Sequence, residues 1–218
     1  MKKILLAAIA ALFAAEADGQ TGQTSISAHS AYIGRNGLPQ SEGSAIQADA
    51  AISHRSFSGS LWASYGLPEG CPTEINIVGS VDSKLRTLDL TLGTTIYHYP
   101  NGSAPNTQEV FAELRHSGRV NGSILGVYDF IDGNGGMAVL TLDRDFSVRG
   151  ISLAAMLSAA YSHNYFWSQS DLTHLTSGIS AELPVGKATI GAYFNAQKSL
   201  HAGFGNEAYG GLTLECRL

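Results

Sequence analysis

Beyond its first fifteen residues the chain has no apolar run approaching the about 20 residues a membrane helix requires, so a helical bilayer crossing is excluded. Charge is scarce as well, at 14% of residues. The charge that is present carries the wrong sign for nucleic acid: acids outnumber bases and the few arginines are scattered, with no basic stripe. Proline is limited to 6 residues and no proline-rich or charge-rich stretch divides the chain, so one domain is expected. The 7 histidines are dispersed with no recurring ligand spacing, which points to no metal, and nothing calls for a cofactor. Gly133, Asn134, Gly135 and Gly136 join two strand-like segments rather than a strand and a helix, so they read as hairpin glycines and not as a phosphate loop.

What is present is a leader and a fine interleaving of apolar and polar residues. Lys2 and Lys3, the apolar run Ile4 to Ala15, and Ala15-Glu16-Ala17 fit a secretory signal peptide over residues 1–17. Neither Cys71 nor Cys216 follows it closely, which argues against a lipoprotein anchor. Removing the leader takes away two lysines and one acid, leaving 11 bases against 17 acids and a net charge of −6 over residues 18–218. Mean hydropathy is close to zero at +0.03 although 25 glycines accompany many apolar residues, because apolar and polar positions alternate.

That alternation has period two. In Leu212-Thr213-Leu214-Glu215-Cys216-Arg217-Leu218, Thr213, Glu215 and Arg217 fall on one face. Leu88, Leu90, Leu92 and Ile96 alternate with Thr87, Asp89, Thr91 and Thr95, and Ile190, Ala192 and Phe194 with Thr189, Tyr193 and Asn195. Such segments predict strands, and the pattern suits a barrel with one face on lipid and the other on a lumen. A soluble lipocalin-like barrel would show the same alternation with the faces inverted.

Tight connections are expected at His54 to Ser56, Ser83 to Lys84, Gly118 to Arg119 and Pro184 to Lys187, and longer ones at Asn36 to Glu42, Leu67 to Pro72, Pro100 to Asn106, Asp132 to Gly135, His163 to Asp171 and Ser199 to Asn206. The tight set reads as periplasmic turns and the long set as external loops. Strands follow near residues 24–35, 43–54, 57–66, 73–82, 86–98, 107–117, 120–131, 136–147, 150–162, 172–183, 187–197 and 207–218. The expected fold is all-β: a transmembrane, antiparallel, up-and-down β-barrel of about 12 strands with both termini periplasmic. Tyr32, Tyr65, Phe130 and Tyr161 fall on the lipid face at external strand ends, and Phe57 and Phe146 near periplasmic ends, as an aromatic girdle would. Cys71 in a loop and Cys216 near the chain end would lie at opposite mouths, too far apart for a disulfide.

The stretch Ala31-Tyr32-Ile33-Gly34-Arg35-Asn36-Gly37-Leu38-Pro39-Gln40-Ser41-Glu42-Gly43-Ser44-Ala45-Ile46-Gln47 resembles the opening of the TorF-type putative porins, small proteobacterial outer-membrane proteins. The likeness continues through Ser56 to Ser64, Glu74 to Ile77, Ile96 to Pro100 and Glu109 to Leu114. It departs at Asn36, where arginine and glycine would be contiguous, and at Leu218, where such barrels finish with an aromatic residue. The resemblance implies a small channel-forming barrel in the bacterial outer membrane and supplies no catalytic residues.

With these faces the lumen receives Glu74, Asp89, Glu109, Glu113, Asp129, Glu182 and Glu215, with Arg115 and Arg217 among few bases. An acid-lined pore would favour cations; alternatively Glu113, Arg115, Glu215 and Arg217 would form a salt network that fills the barrel. Twelve strands lie between the filled interior of eight and the open channel of sixteen, and inward Trp62, Phe111, Tyr193 and Arg115 would narrow the passage. The expected function is a porin-like channel for small solutes, not an enzyme, with outer-membrane lipid and the barrel-assembly machinery as its other partners.

Two other functions compete. A closed barrel could act through its external loops, of which the one with Tyr165, Phe166 and Trp167 exposes three aromatics. A barrel lipase would need a serine and a base within hydrogen-bond reach, for which His54 with Ser56 and Ser162 with His163 are the candidates. The first pair lies at the wrong mouth, and the members of the second would point to opposite faces if the strand persisted.

Overall fold

Alternating residues leave each strand with one apolar face, and an antiparallel sheet can bury none of its edges except by closing on itself. The computed structural model, which describes residues 20–166, 170–201 and 205–217, shows that closure. The strands are β1 (Gln20–His29), β2 (Ala45–His54), β3 (Phe57–Gly66), β4 (Cys71–Leu85), β5 (Leu88–His98), β6 (Thr107–His116), β7 (Asn121–Asp129), β8 (Gly135–Val148), β9 (Ile151–His163), β10 (Ser170–Val185), β11 (Ala188–Ser199) and β12 (Glu207–Arg217). Each pairs antiparallel with its neighbours in sequence, and β1 closes on β12 with Ile26 opposite Leu214. The leader lies outside the described residues.

Exposure follows the alternation. Ile179 is 64% exposed, and Ile77, Ile124, Leu157, Phe194 and Leu212 share its outward face, forming an apolar belt. The buried side chains are mostly polar, including Glu74, Thr95, Glu109, Asp129, Ser162 and Gln197, and all of these point inward. Polar inside and apolar outside is the arrangement of a membrane barrel and the inverse of a lipocalin.

One inward contact needs a glycine. Phe111 of β6 lies across Gly93 of β5, its register partner, and a Cβ there would come within 2.4 Å of the ring and 2.6 Å of the Gly79 carbonyl. Two long strands, β4 and β10, carry register shifts at Ser64/Tyr65 and Leu172/His174, where Thr73 and Thr173 are the extra residues.

The first strand differs from the sequence reading, which ran it over 24–35. It begins at Gln20 and stops at His29, because the chain from Ser30 turns into the barrel mouth. There Gly34 N–H donates to Leu38 O and Gln40 N–H to Tyr32 O, each at 2.8 Å, making a small hairpin with Ile33 beside Pro39. Tyr32 therefore leaves the lipid girdle and stands inside, 5.4 Å from the Trp62 ring. Tyr65, Phe130 and Tyr161 do face outward. The second tight turn lies at Arg86 and Thr87 rather than Ser83 and Lys84, since the Leu85 and Leu88 pair extends the ladder. Cys71 opens β4 rather than lying in a loop; it and Cys216 stand at opposite ends of the barrel, both as free thiols.

Ile179→Arg places a charge on the outward face midway along β10 and should cost about 2–4 kcal/mol in refolding equilibrium titrations in lipid vesicles. Ser180→Arg, one residue away on the inward face, should cost far less. Equal costs would contradict the assignment of faces.

Candidate functional site: the barrel mouth and its inward wall

Glu109 organises the long-loop end. Its side chain is 1% exposed in the wall of β6, and a carboxylate so buried must be neutralised and fully hydrogen-bonded. Arg35, on the loop of residues 30–44, donates from Nη1 to Glu109 Oε2 at 2.8 Å. Tyr97 of β5 donates to the same oxygen at 2.6 Å. Tyr165, in the connection after β9, donates its hydroxyl to Oε1. Burial and the neighbouring carboxylate push the Tyr165 phenol well above its usual range, so it stays protonated and remains a donor.

The loop is tied down at further points. Tyr32 Oη donates to Glu74 Oε2 at 3.0 Å, and Asn76 Nδ2 holds the other Glu74 oxygen at 2.7 Å. On the far side, Gln197 Nε2 of β11 donates to Gly37 O at 2.8 Å. Gly37 has φ 83° and lies so close to the His174 ring that a Cβ would sit 2.6 Å from Nδ1. A loop that joins β1 to β2 thus touches β4, β6, β10 and β11, and so spans the mouth.

Asp129 is also fully buried, and it does a different job. Its Oδ1 accepts the backbone N–H groups of Ile131, Asp132 and Gly133 at 3.0, 3.1 and 2.9 Å, while Thr107 donates to Oδ2 at 2.6 Å. The carboxylate thus folds the β7–β8 connection. Gly135 then meets the next long connection, where a Cβ would stand 2.3 Å from the Asn164 carbonyl carbon.

Toward the tight-turn end the inward wall changes character around its circumference. On β4 to β8 several acids have a partner: Lys84 with Asp89 at 2.9 Å, Arg115 with Asp143 at 3.2 Å, and Asn121 with Asp143 at 2.7 Å. Glu113 of β6 is in none of the ion pairs among the described residues. On β10 to β12, Glu182 and Glu215 line a cavity of about 170 Å³ with Thr189, Tyr193 and Thr213. Arg217 approaches Glu215 at 3.4 Å from a side chain that is 79% exposed.

All nine sequence-predicted inward residues, Glu74, Asp89, Glu109, Glu113, Arg115, Asp129, Glu182, Glu215 and Arg217, lie on the inward face. They do not form one site: Glu74, Glu109 and Asp129 hold loops at the mouth, while the others lie deeper on two walls. The single salt network of Glu113, Arg115, Glu215 and Arg217 does not form, since β6 and β12 are on opposite sides of the closed barrel.

Of the three loop aromatics, Tyr165 is 4% exposed inside the mouth rather than displayed outside it, because Glu109 draws its hydroxyl inward. Phe166 stays 38% exposed, and Trp167 lies outside the described residues. Arg35, Tyr97 and Gln197 escaped the sequence reading. Arg35 stands between Gly34 and Asn36, and its place and that of Tyr97 in the stretches that carry the family resemblance are the signals the sequence offered.

The lipase pairs fare differently. Ser162 is buried and inward, and strand β9 persists through His163, so the two side chains point to opposite faces. His163 Nδ1 instead lies 2.7 Å from Ser170 Oγ, and among the described residues no third group orients that ring.

No known family model matches the chain, and no curated protein matches it. Solved structures do. The chain is similar to the COG4313 outer membrane channel from Pseudomonas putida F1, with a TM-score of 0.58, 13% identity, and coverage of 94% of this chain and 97% of that one. The KdgM porin, solved in complex with oligogalacturonate, aligns with a TM-score of 0.56 at 9% identity over 90% of this chain and 98% of that one. The NanC porin gives 0.54 at 9% identity over 89% and 97%. Identities this low carry the fold alone. Together with the closed sheet and apolar belt, they make the chain a twelve-stranded β-barrel of the bacterial outer membrane, of porin-like architecture.

Asp129→Ala should strand the three backbone donors of residues 131–133. The expected cost is about 1–3 kcal/mol, with faster proteolytic nicking of this connection than in the wild-type barrel.

Proposed function

We propose that the protein is a narrow, cation-preferring diffusion channel for small solutes. The single observation that carries this reading is the mouth: loop 30–44 is drawn across a closed, polar-lined barrel by Arg35 and Glu109, which restricts the entrance to the barrel interior. Below the restriction, Glu113, Glu182 and Glu215 supply negative potential in a confined space. Residues 1–17 are the secretion leader, the mature chain runs from 18, and the termini with the tight turns face the periplasm, where insertion by the barrel-assembly machinery starts. The resemblance of residues 31–47 to the opening of the TorF-type putative porins supports this reading.

The same infolded mouth supports a second reading, in which loop 30–44 and Tyr165 close the barrel and the protein works as a binding or structural element through its outer loops. Planar-bilayer recordings of the refolded mature protein under a salt gradient separate the two. The channel reading expects a reversal potential of cation sign, reduced in Glu113→Gln and Glu215→Gln, and a larger single-channel conductance in Arg35→Ala, which frees the loop. A correctly folded, inserted barrel that passes no current, with or without Arg35, assigns the closed barrel.

A further inference from the structure

The tight-turn rim has a composition that its conformation does not explain. Each of the five tight turns carries a cation: Arg55, Arg86, Arg119, Arg149 and Lys187, all exposed. Arg55, Arg86 and Arg149 have φ of 56°, 59° and 52°. Glycine and asparagine fit that left-handed conformation and a bulky side chain does not, so local geometry argues against arginine three times over. Among the described residues none of the five is in an ion pair.

Each cation also has an apolar neighbour at the same turn. Phe57, Leu85, Val120, Val148 and Val185 flank the five turns in that order, each half exposed or more. The axial contrast is strong, because the long-loop end holds only Arg35, in its ion pair with Glu109, and Lys198. A ring with apolar side chains on the membrane side and unpaired cations just beyond matches one chemistry, the boundary where acyl chains give way to phosphate.

We propose that this rim binds the headgroups of anionic phospholipids of the phosphatidylglycerol class in the leaflet it meets. The cations engage the phosphates, and the flanking apolar residues seat among the upper acyl chains. The rim holds the tight-turn end at a fixed depth and enriches anionic lipid around the barrel.

The test uses the full mature chain refolded in nanodiscs of equal phosphatidylglycerol and phosphatidylcholine, then released into detergent, with retained lipids counted by native mass spectrometry. We expect phosphatidylglycerol to exceed phosphatidylcholine by at least about fivefold, the contribution of a single cation near a membrane surface. The ratio should fall toward one in the variant Arg55→Gln, Arg86→Gln, Arg119→Gln, Arg149→Gln, Lys187→Gln, and stay unchanged in Lys198→Gln at the other rim. Heat-modifiable gel mobility reports folding. If the fivefold variant does not fold, the wild-type protein decides by itself: its preference should collapse between about 0.05 and 0.5 M salt, as the screening length contracts. A wild-type ratio near one, a ratio insensitive to salt, or a folded fivefold variant that keeps the wild-type ratio overturns the proposal; in the last two cases the rim would be left for an acidic protein partner.

Discussion

The mouth of this barrel depends on one buried carboxylate. Glu109 has almost no contact with solvent, and an uncompensated charge there would cost several kcal/mol. The compensation is assembled from three separate parts of the chain: a loop arginine, a tyrosine on the adjacent strand and a tyrosine from the connection after β9. Because two of these donors lie on loops, neutralising the charge also folds those loops inward. The electrostatic requirement of one residue thereby sets the shape of the entrance.

Closure imposes the other constraint. Within lipid every backbone N–H and C=O must be paired inside the protein, and the β1–β12 seam leaves the sheet no edge. The outward face can then be apolar throughout, and the polar inventory is forced inward, where it either pairs across strands or secures loops. Asp129 with three backbone N–H groups and Glu74 with Tyr32 and Asn76 are instances of the second use. Arg115 with Asp143 and Lys84 with Asp89 are instances of the first. Among the described residues Glu113 and Glu182 are in no ion pair and Glu215 meets only the largely exposed Arg217, and the proposed ion preference rests on that unevenness.

Strand by strand, most of the architecture was legible. Leu212 and Leu214 against Thr213 and Glu215, or Leu90 and Leu92 against Asp89 and Thr91, declare their faces by period two alone, because pleating fixes the direction of each side chain from its parity. Parity failed at Tyr32. Its neighbours continue the alternation, but the backbone after His29 has left the sheet. It also missed the turn at Arg86, where turn residues are not glycine or asparagine and the punctuation is weak. At the mouth the difficulty is sequence distance: Arg35 meets Glu109 across 74 positions and Tyr165 meets it across 56. No local pattern encodes a contact of that span.

What the sequence by itself determined is therefore the strands, their number, and which residues of each strand share a face, since these follow from local alternation and the length of connections. That the polar face is the inner one is shown by the closed structure. Which inward acids hold loops and which line the cavity was decided only in the tertiary structure. The physical reason is that a carboxylate's role depends on the donors within about 3 Å of it. For Glu109 and Asp129 those donors arrive from loops whose path is fixed only once the sheet has closed.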